Sequence, residues 1–310
     1  MACRSLHTKG VCLPCGSGLA TIRGKARIVG IRINGRLLLR ACAAAVASSA
    51  ICALGAQAAA LPSMSIAVTK TSATVTGAPT SAGAVNIVVS DKGLKEGAAI
   101  LFRLAPGKTV AEAEQFLKEK RAHNDPNNTA ELGTLVFDAE AENGVTNEAQ
   151  TVLQPGTYIV LIAAGEGEPT LRDTFTVGAA TAAALALPAA QATERTVEFG
   201  FKGPKTLHDG EVVRFENEGF LVHMDVAFPV KNMKAAKLAV KYLLAGKEKA
   251  LGKLIAGPPV GFYGPLSHGA SMQETITAKP GIYVQACFME TQDGRDHTLL
   301  GMERIIKITK

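Results

Sequence analysis

Four residues in the last third of the chain could do chemistry together. His223 closes the run Asn217-Glu-Gly-Phe-Leu-Val-His223, and Cys287, His297 and Met302 follow within CFMETQDGRDHTLLGM. The later three have the spacing Cys-x9-His-x4-Met. Two imidazoles, one thiolate and one thioether make a mixed N/S donor set that suits both Cu(I) and Cu(II). Little rearrangement then accompanies the gain or loss of one electron. One ligand would come from a strand far away in sequence, and the other three from a loop bridging the last two strands. Zinc would accept the same ligands.

Each residue has a plainer reading when taken alone. Cys287 could be an inert buried thiol, His223 a hydrogen-bonded core histidine and Met302 simple packing. The metal reading rests on the four in this order. His268 (GPLSHGASM) and His208 (before the turn Asp209-Gly210) have no partner at ligand spacing, and His123 (RAHNDPNN) reads as a solvated residue of an Asn/Asp-rich loop. Asp293-Gly294-Arg295-Asp296 reads as a turn rather than a calcium site. The sequence holds no GxSxG and no P-loop, and no His-rich second copper centre of the kind nitrite reduction needs.

The elements around these residues come in two copies. GAVNIVVSDKG (Gly83–Gly93) and AAILFRLAPGKT (Ala98–Thr109) correspond to GEVVRFENEG (Gly210–Gly219) and MDVAFPVKN (Met224–Asn232). A helical stretch follows each. Thr109-Val-Ala-Glu112 is a capping box. Its counterpart Lys234–Leu254 has Leu238, Tyr242 and Ala245 at helical spacing. Later, LQPGTYIVLI (Leu153–Ile162) matches AKPGIYVQAC (Ala278–Cys287). Gly93 pairs with Gly219 and Pro155 with Pro280, so the register slips by one residue only. This alignment puts Gly97 at the His223 position and Ile162 at the Cys287 position. The first copy therefore lacks the donor set. Alternating strands and Pro-Gly turns before a Tyr-bearing strand predict Greek-key β-sandwiches.

The chain has 310 residues, 33 basic and 27 acidic, with a formal charge of +6. Eight of the basic residues and none of the acidic ones lie in 1–58, so the remainder carries 25 against 27, a net −2. A nucleic-acid role needs a basic face on the folded part, and the composition argues against it. Residues 1–58 also hold five of the six cysteines. Only Cys287 follows, which excludes a disulfide within one mature chain. A basic stretch to Arg40, an apolar run and Ala56-Gln57-Ala58 read as an export signal cleaved near Ala58. An uncleaved membrane anchor is the alternative, and once the leader is cleaved no membrane span is expected. Lysines 234, 237, 241, 247, 249 and 253 form a charged helix face, either solvated or facing an acidic partner.

FENEGFLVHMDVAF (Phe215–Phe228) is similar to the strand of cupredoxins that carries their first His ligand after an Asn. The end Cys287…His297-x4-Met302 resembles the cupredoxin ligand loop, with a length closer to that of the copper domain of nitrite reductases. The whole pattern also resembles a set of exported bacterial cupredoxin-like proteins. The resemblance covers Thr196–Lys310 directly and Ser63–Val177 through the repeat. It implies His223, Cys287 and His297 as equatorial ligands of one copper ion, Met302 as axial ligand, and Asn217 as a brace orienting the backbone around the thiolate. The expectation is an all-β protein of two tandem Greek-key, cupredoxin-like sandwiches, each with a helical insertion. Their bounds are 1–58 for the leader, 63–177 for a degenerate domain without ligands, 178–193 for an Ala-rich linker and 194–310 for the copper domain. The expected function is copper binding, with one-electron transfer to a redox partner protein. The alternative is a metal-free binding or structural module of the cell envelope.

Overall fold

The computed structural model describes residues 60–94, 97–119, 126–141, 144–164 and 169–310. The expected leader, its five cysteines and His123 lie outside them. The described residues are mostly β-strand with a few short helices.

The first half contains β1 (Ser63–Val68), β2 (Ala73–Thr76), β3 (Gly83–Asp91), β4 (Gly97–Leu104), α1 (Val110–Leu117), β5 (Gly133–Glu140), β6 (Thr146–Leu153), β7 (Gly156–Ala164) and β8 (Thr170–Val177). The second contains β9 (Ala192–Val197), β10 (Gly200–Lys202), β11 (Thr206–His208), β12 (Val212–Asn217), β13 (His223–Val230), α2 (Met233–Leu243), α3 (Glu248–Leu251), β14 (Val260–Leu266), β15 (Ser271–Thr275), β16 (Gly281–Ala286) and β17 (Glu303–Thr309). β9 begins inside the stretch expected to be linker.

One sheet of the first half has the order β5-β4-β7-β8, and its counterpart in the second half runs β14-β13-β16-β17, with β11 added beyond β17. The remaining strands form one eight-stranded sheet, β10-β9-β12-β15-β6-β3-β1-β2. Its two halves join where β15 pairs antiparallel with β6, at Met272↔Thr151 and Gln273↔Gln150. Alternation explains which side chains face inward. Val85, Ile87 and Val89 of β3 are buried, as are Val213, Phe215 and Asn217 of β12. These inward faces feed one apolar cluster that runs without a break from Met64 to Ile308 through both halves. The Pro-Gly turns end alike. The Tyr158 hydroxyl donates to the Gln154 carbonyl at 2.8 Å, and Tyr283 to that of Lys279 at 2.7 Å.

α1 opens with the expected capping box: Thr109 Oγ1 accepts from the Glu112 N–H at 3.2 Å, and Glu112 accepts from the Thr109 N–H at 2.8 Å. The second helix differs from expectation. It stops after Leu243, and Gly246 at φ 61° turns the chain before α3. Only glycine takes that left-handed conformation at no cost. Its buried face is Ala236, Ala239 and Leu243, whereas Leu238 points to solvent and Ala245 lies past the helix end. The two alanines let the backbone lie close against Phe228, Val230 and Val284 on the outer face of the sheet.

Candidate metal centre

β13 begins at His223, and its alternation turns His223, Asp225 and Ala227 to the same buried face. Opposite it, β16 buries Tyr283 and Gln285, and Cys287 follows two residues on with no exposure. The ladder between the two strands runs to Val226↔Ala286, so His223 and Cys287 meet just beyond its end. After Cys287 the chain makes a turn in which Asp293 accepts from Arg295 Nε at 2.8 Å and Gly294 adopts φ 75°. This is the expected turn. A short 3-10 helix (His297–Leu300) then returns His297 to the cluster.

The three donors converge. Nδ1 of His223 lies 3.2 Å from Nδ1 of His297, and Sγ of Cys287 lies 3.3 Å from Nδ1 of His297 and 3.8 Å from Nδ1 of His223. The product of these sides divided by four times the triangle's area gives a circumradius of about 2.0 Å, the length of a metal–imidazole bond and slightly short of a metal–thiolate bond. All three residues are fully buried, and they form the one such grouping among the described residues. The donor set and its spacing fit copper or zinc.

Met302 is also fully buried, in the same apolar cluster as Cys287. Its N–H donates to the His297 carbonyl at 3.0 Å and its carbonyl accepts from the Cys287 N–H at 3.2 Å. Asn217 is buried at the end of β12. Its Nδ2 donates to the carbonyls of Leu221 and Leu266, both at 2.8 Å, and its Oδ1 accepts from the Gly219 N–H at 2.9 Å. Asn217 therefore braces the turn leading into His223, and its hydrogen bonds do not reach the Cys287–Met302 loop. The thiol is met instead by the backbone N–H of Met224, 3.4 Å from Sγ. Of the other histidines, His268 is exposed and bonds through Nδ1 to the Gly219 carbonyl, while His208 bonds to Thr309 near the C-terminus.

Burial pushes the Cys287 thiol up to about 12, against the pull of the Met224 and Met289 N–H groups. Burial, then neighbouring His297, push His223 down to about 3, with Glu198 opposing. Without a metal, Cys287 is thus a neutral thiol and His223 a neutral imidazole at pH 7. A cation supplies the charge that makes thiolate formation favourable in such a site, so uptake releases a proton.

Other residues around the centre were not legible in the sequence. Phe199 packs edge-on against His297, with ring centroids 5.3 Å apart. It does so from φ 55°, the one positive φ of a non-glycine residue among those described. A bulky residue takes that conformation rarely and at a cost. Glu198, beside it, accepts from the N–H groups of Phe220 and Leu221. Asn127 reaches in from the first half. Deeper in the sandwich, the fully buried Asp225 accepts from Gln285 Nε2 at 2.6 Å, and Arg304 links Gln285 to Glu194. Burial, then the charge of Glu194, hold the Asp225 carboxyl well above its ordinary range. No described helix is long and apolar enough to cross a membrane.

No protein-family model matches the chain, and no curated protein matches it. Solved structures do. Auracyanin A from Chloroflexus aurantiacus is 18% identical over 38% of this chain and 96% of its own, with a TM-score of 0.23. An azurin from Methylomonas sp. strain J is 12% identical over 40% of this chain and 100% of its own, with a TM-score of 0.24. A copper-containing nitrite reductase from Thermus scotoductus is 13% identical over 80% of this chain and 68% of its own, with a TM-score of 0.22. The two halves share a strand order, β5-β4-β7-β8 and β14-β13-β16-β17, and the second holds a buried His–Cys–His cluster. In both respects the chain is cupredoxin-like.

Proposed function

We propose that this is an exported protein of two cupredoxin-like domains, 63–177 and 194–310, joined by 178–193. The second would bind one copper ion through His223, Cys287 and His297, with Met302 as axial ligand, and pass single electrons to a redox partner protein. The observation that carries the reading is the triangle of two Nδ1 atoms and one Sγ, whose centre lies about a metal–ligand bond length from all three. Copper at such a centre supplies one-electron chemistry. The chain's part is to hold the donors in one plane, keep water out and present Met302. Ile162, at the Cys287 position of the first half, is fully buried among apolar neighbours, which supports a ligand-free first domain.

The test is to add Cu(II) to the purified protein without its leader and record visible and EPR spectra. An intense thiolate-to-copper band with narrow hyperfine splitting is expected. Stoichiometric binding without that band would remove Cys287 from the equatorial set. No binding at all would leave the metal-free module as the function.

A further inference from the structure

We infer that Asn127, which belongs to the first half, is a positioning residue for the donor cluster of the second. Its role would make the ligand-free half part of the frame that holds the metal centre. The inference rests on the copper reading for its function but not for its geometry.

The ladder that brings His223 beside Cys287 ends at Val226↔Ala286. Beyond it, the turn entering His223 and the loop leaving Cys287 must be held together by something else. A single side-chain amide spans them. Asn127 Oδ1 accepts from the Val222 N–H at 2.7 Å, one residue before the ligand His223. Its Nδ2 donates to the Glu290 carbonyl at 3.1 Å, inside the loop that carries Cys287 and His297. An N–H only donates and a carbonyl only accepts, so the amide has one orientation that satisfies both. Its donor and acceptor are fixed relative to each other by a planar group, and they fix the spacing of the two segments.

Asn127 is itself anchored. It lies on a 3-10 turn (Pro126–Glu131) whose end is tied down by the Leu132 N–H to the Thr129 carbonyl and the Ala105 N–H to the Leu132 carbonyl. Leu132 is buried in a cluster that mixes Phe102, Leu104 and Phe116 of the first half with Val222, Cys287 and Met302 of the second. The clamp therefore sits on an apolar contact at the metal centre and not on an isolated loop. Metal held at the centre and docking of the first half should then stabilise each other, since coupling between two equilibria is reciprocal.

The experiment uses the whole protein, with Asn127→Ala, Asn127→Asp and Asn147→Ala as variants. Asn147 is the control, because its side-chain amide makes a comparable bond to the Glu140 carbonyl within the first half. Three quantities are read: hydrogen exchange at the Val222 amide without metal, the thiolate-to-copper band, and the rate at which a chelator extracts copper. Asn127→Ala should speed exchange at Val222 and copper extraction by about tenfold or more, and alter the band. Asn127→Asp, which keeps the acceptor and loses the donor, should retain Val222 protection while still releasing copper faster. Asn147→Ala should match wild type in all three. Wild-type exchange, band and extraction in Asn127→Ala would overturn the inference. So would equal effects in Asn127→Ala and Asn147→Ala, because the role would then be general stability. If the wild type takes up no copper, the copper reading falls, and Val222 exchange alone decides whether the clamp exists.

Discussion

The backbone of Gly219 lies directly against the imidazole of His223. A Cβ at position 219 would stand 2.7 Å from His223 Nε2 and 2.7 Å from a carboxylate oxygen of Glu198. Gly219→Ala should therefore push the ring from its place in the donor triangle. Overpacking of this kind costs about 1–3 kcal/mol, and each 1.4 kcal/mol is about tenfold in affinity. Metal affinity should fall about tenfold or more in a competition titration. Wild-type affinity would mean that the ring tolerates displacement.

Cys287→Ala should abolish the intense visible band of the copper-loaded protein. His268→Ala should leave it intact, because His268 bonds to the Gly219 carbonyl and stacks on Phe220 at the surface. A band that survives the first change, or is lost in the second, would show that the ligands are wrongly assigned.

Asn217→Ala should lower stability before it affects the metal. It strips donors from the Leu221 and Leu266 carbonyls and an acceptor from the Gly219 N–H. Buried groups left unpaired cost about 1–3 kcal/mol each. The denaturation midpoint of the metal-free protein should drop accordingly. An unchanged midpoint would mean water replaces the amide.

Asp138 is buried, and burial followed by the charge of Glu140 pushes its carboxyl up to about 7. The folded protein then holds a proton that the unfolded chain has released above about pH 4. Stability must fall as pH rises between those values, by at most about 1.4 kcal/mol per pH unit for one proton. Asp138→Asn should flatten that slope and raise the melting temperature at pH 8 relative to wild type. Parallel pH profiles for the two proteins would refute the assignment. Glu194 and Glu303, also pushed up to about 7 mainly by burial, contribute with the same sign.

How much of the centre could be read in advance follows from what each residue does. Residue type, order and spacing were enough to single out His223, Cys287 and His297, because their chemistry is in the side chain. The capping box at Thr109 was legible for the same reason. Asn127 was not, because it acts from 95 residues before Val222 and looks like one more polar residue in a loop. Met224 contributes an N–H that any residue but proline would offer. Phe199 owes its place to a left-handed backbone that nothing in its type announces. In the second helix the apolar spacing of Leu238, Tyr242 and Ala245 did not mark the buried face, which is Ala236, Ala239 and Leu243, because two alanines allow a closer approach. The hydrogen bonds of Asn217 to Gly219, Leu221 and Leu266 depend on how the turn before His223 folds, which its residue type does not announce.

The pairing of β6 with β15 has a consequence for any dissected form of the protein. Inside the whole chain each of these strands is covered by the other, with Thr151 donating to the Ser271 carbonyl and Gln273 to Gln150. Cut apart, each half would present a bare strand edge beside an uncovered apolar face, which is a template for recruiting further chains. Aggregation of an isolated half should begin at residues 146–153 or 271–275, and a lysine placed there should suppress it only once the halves are separated.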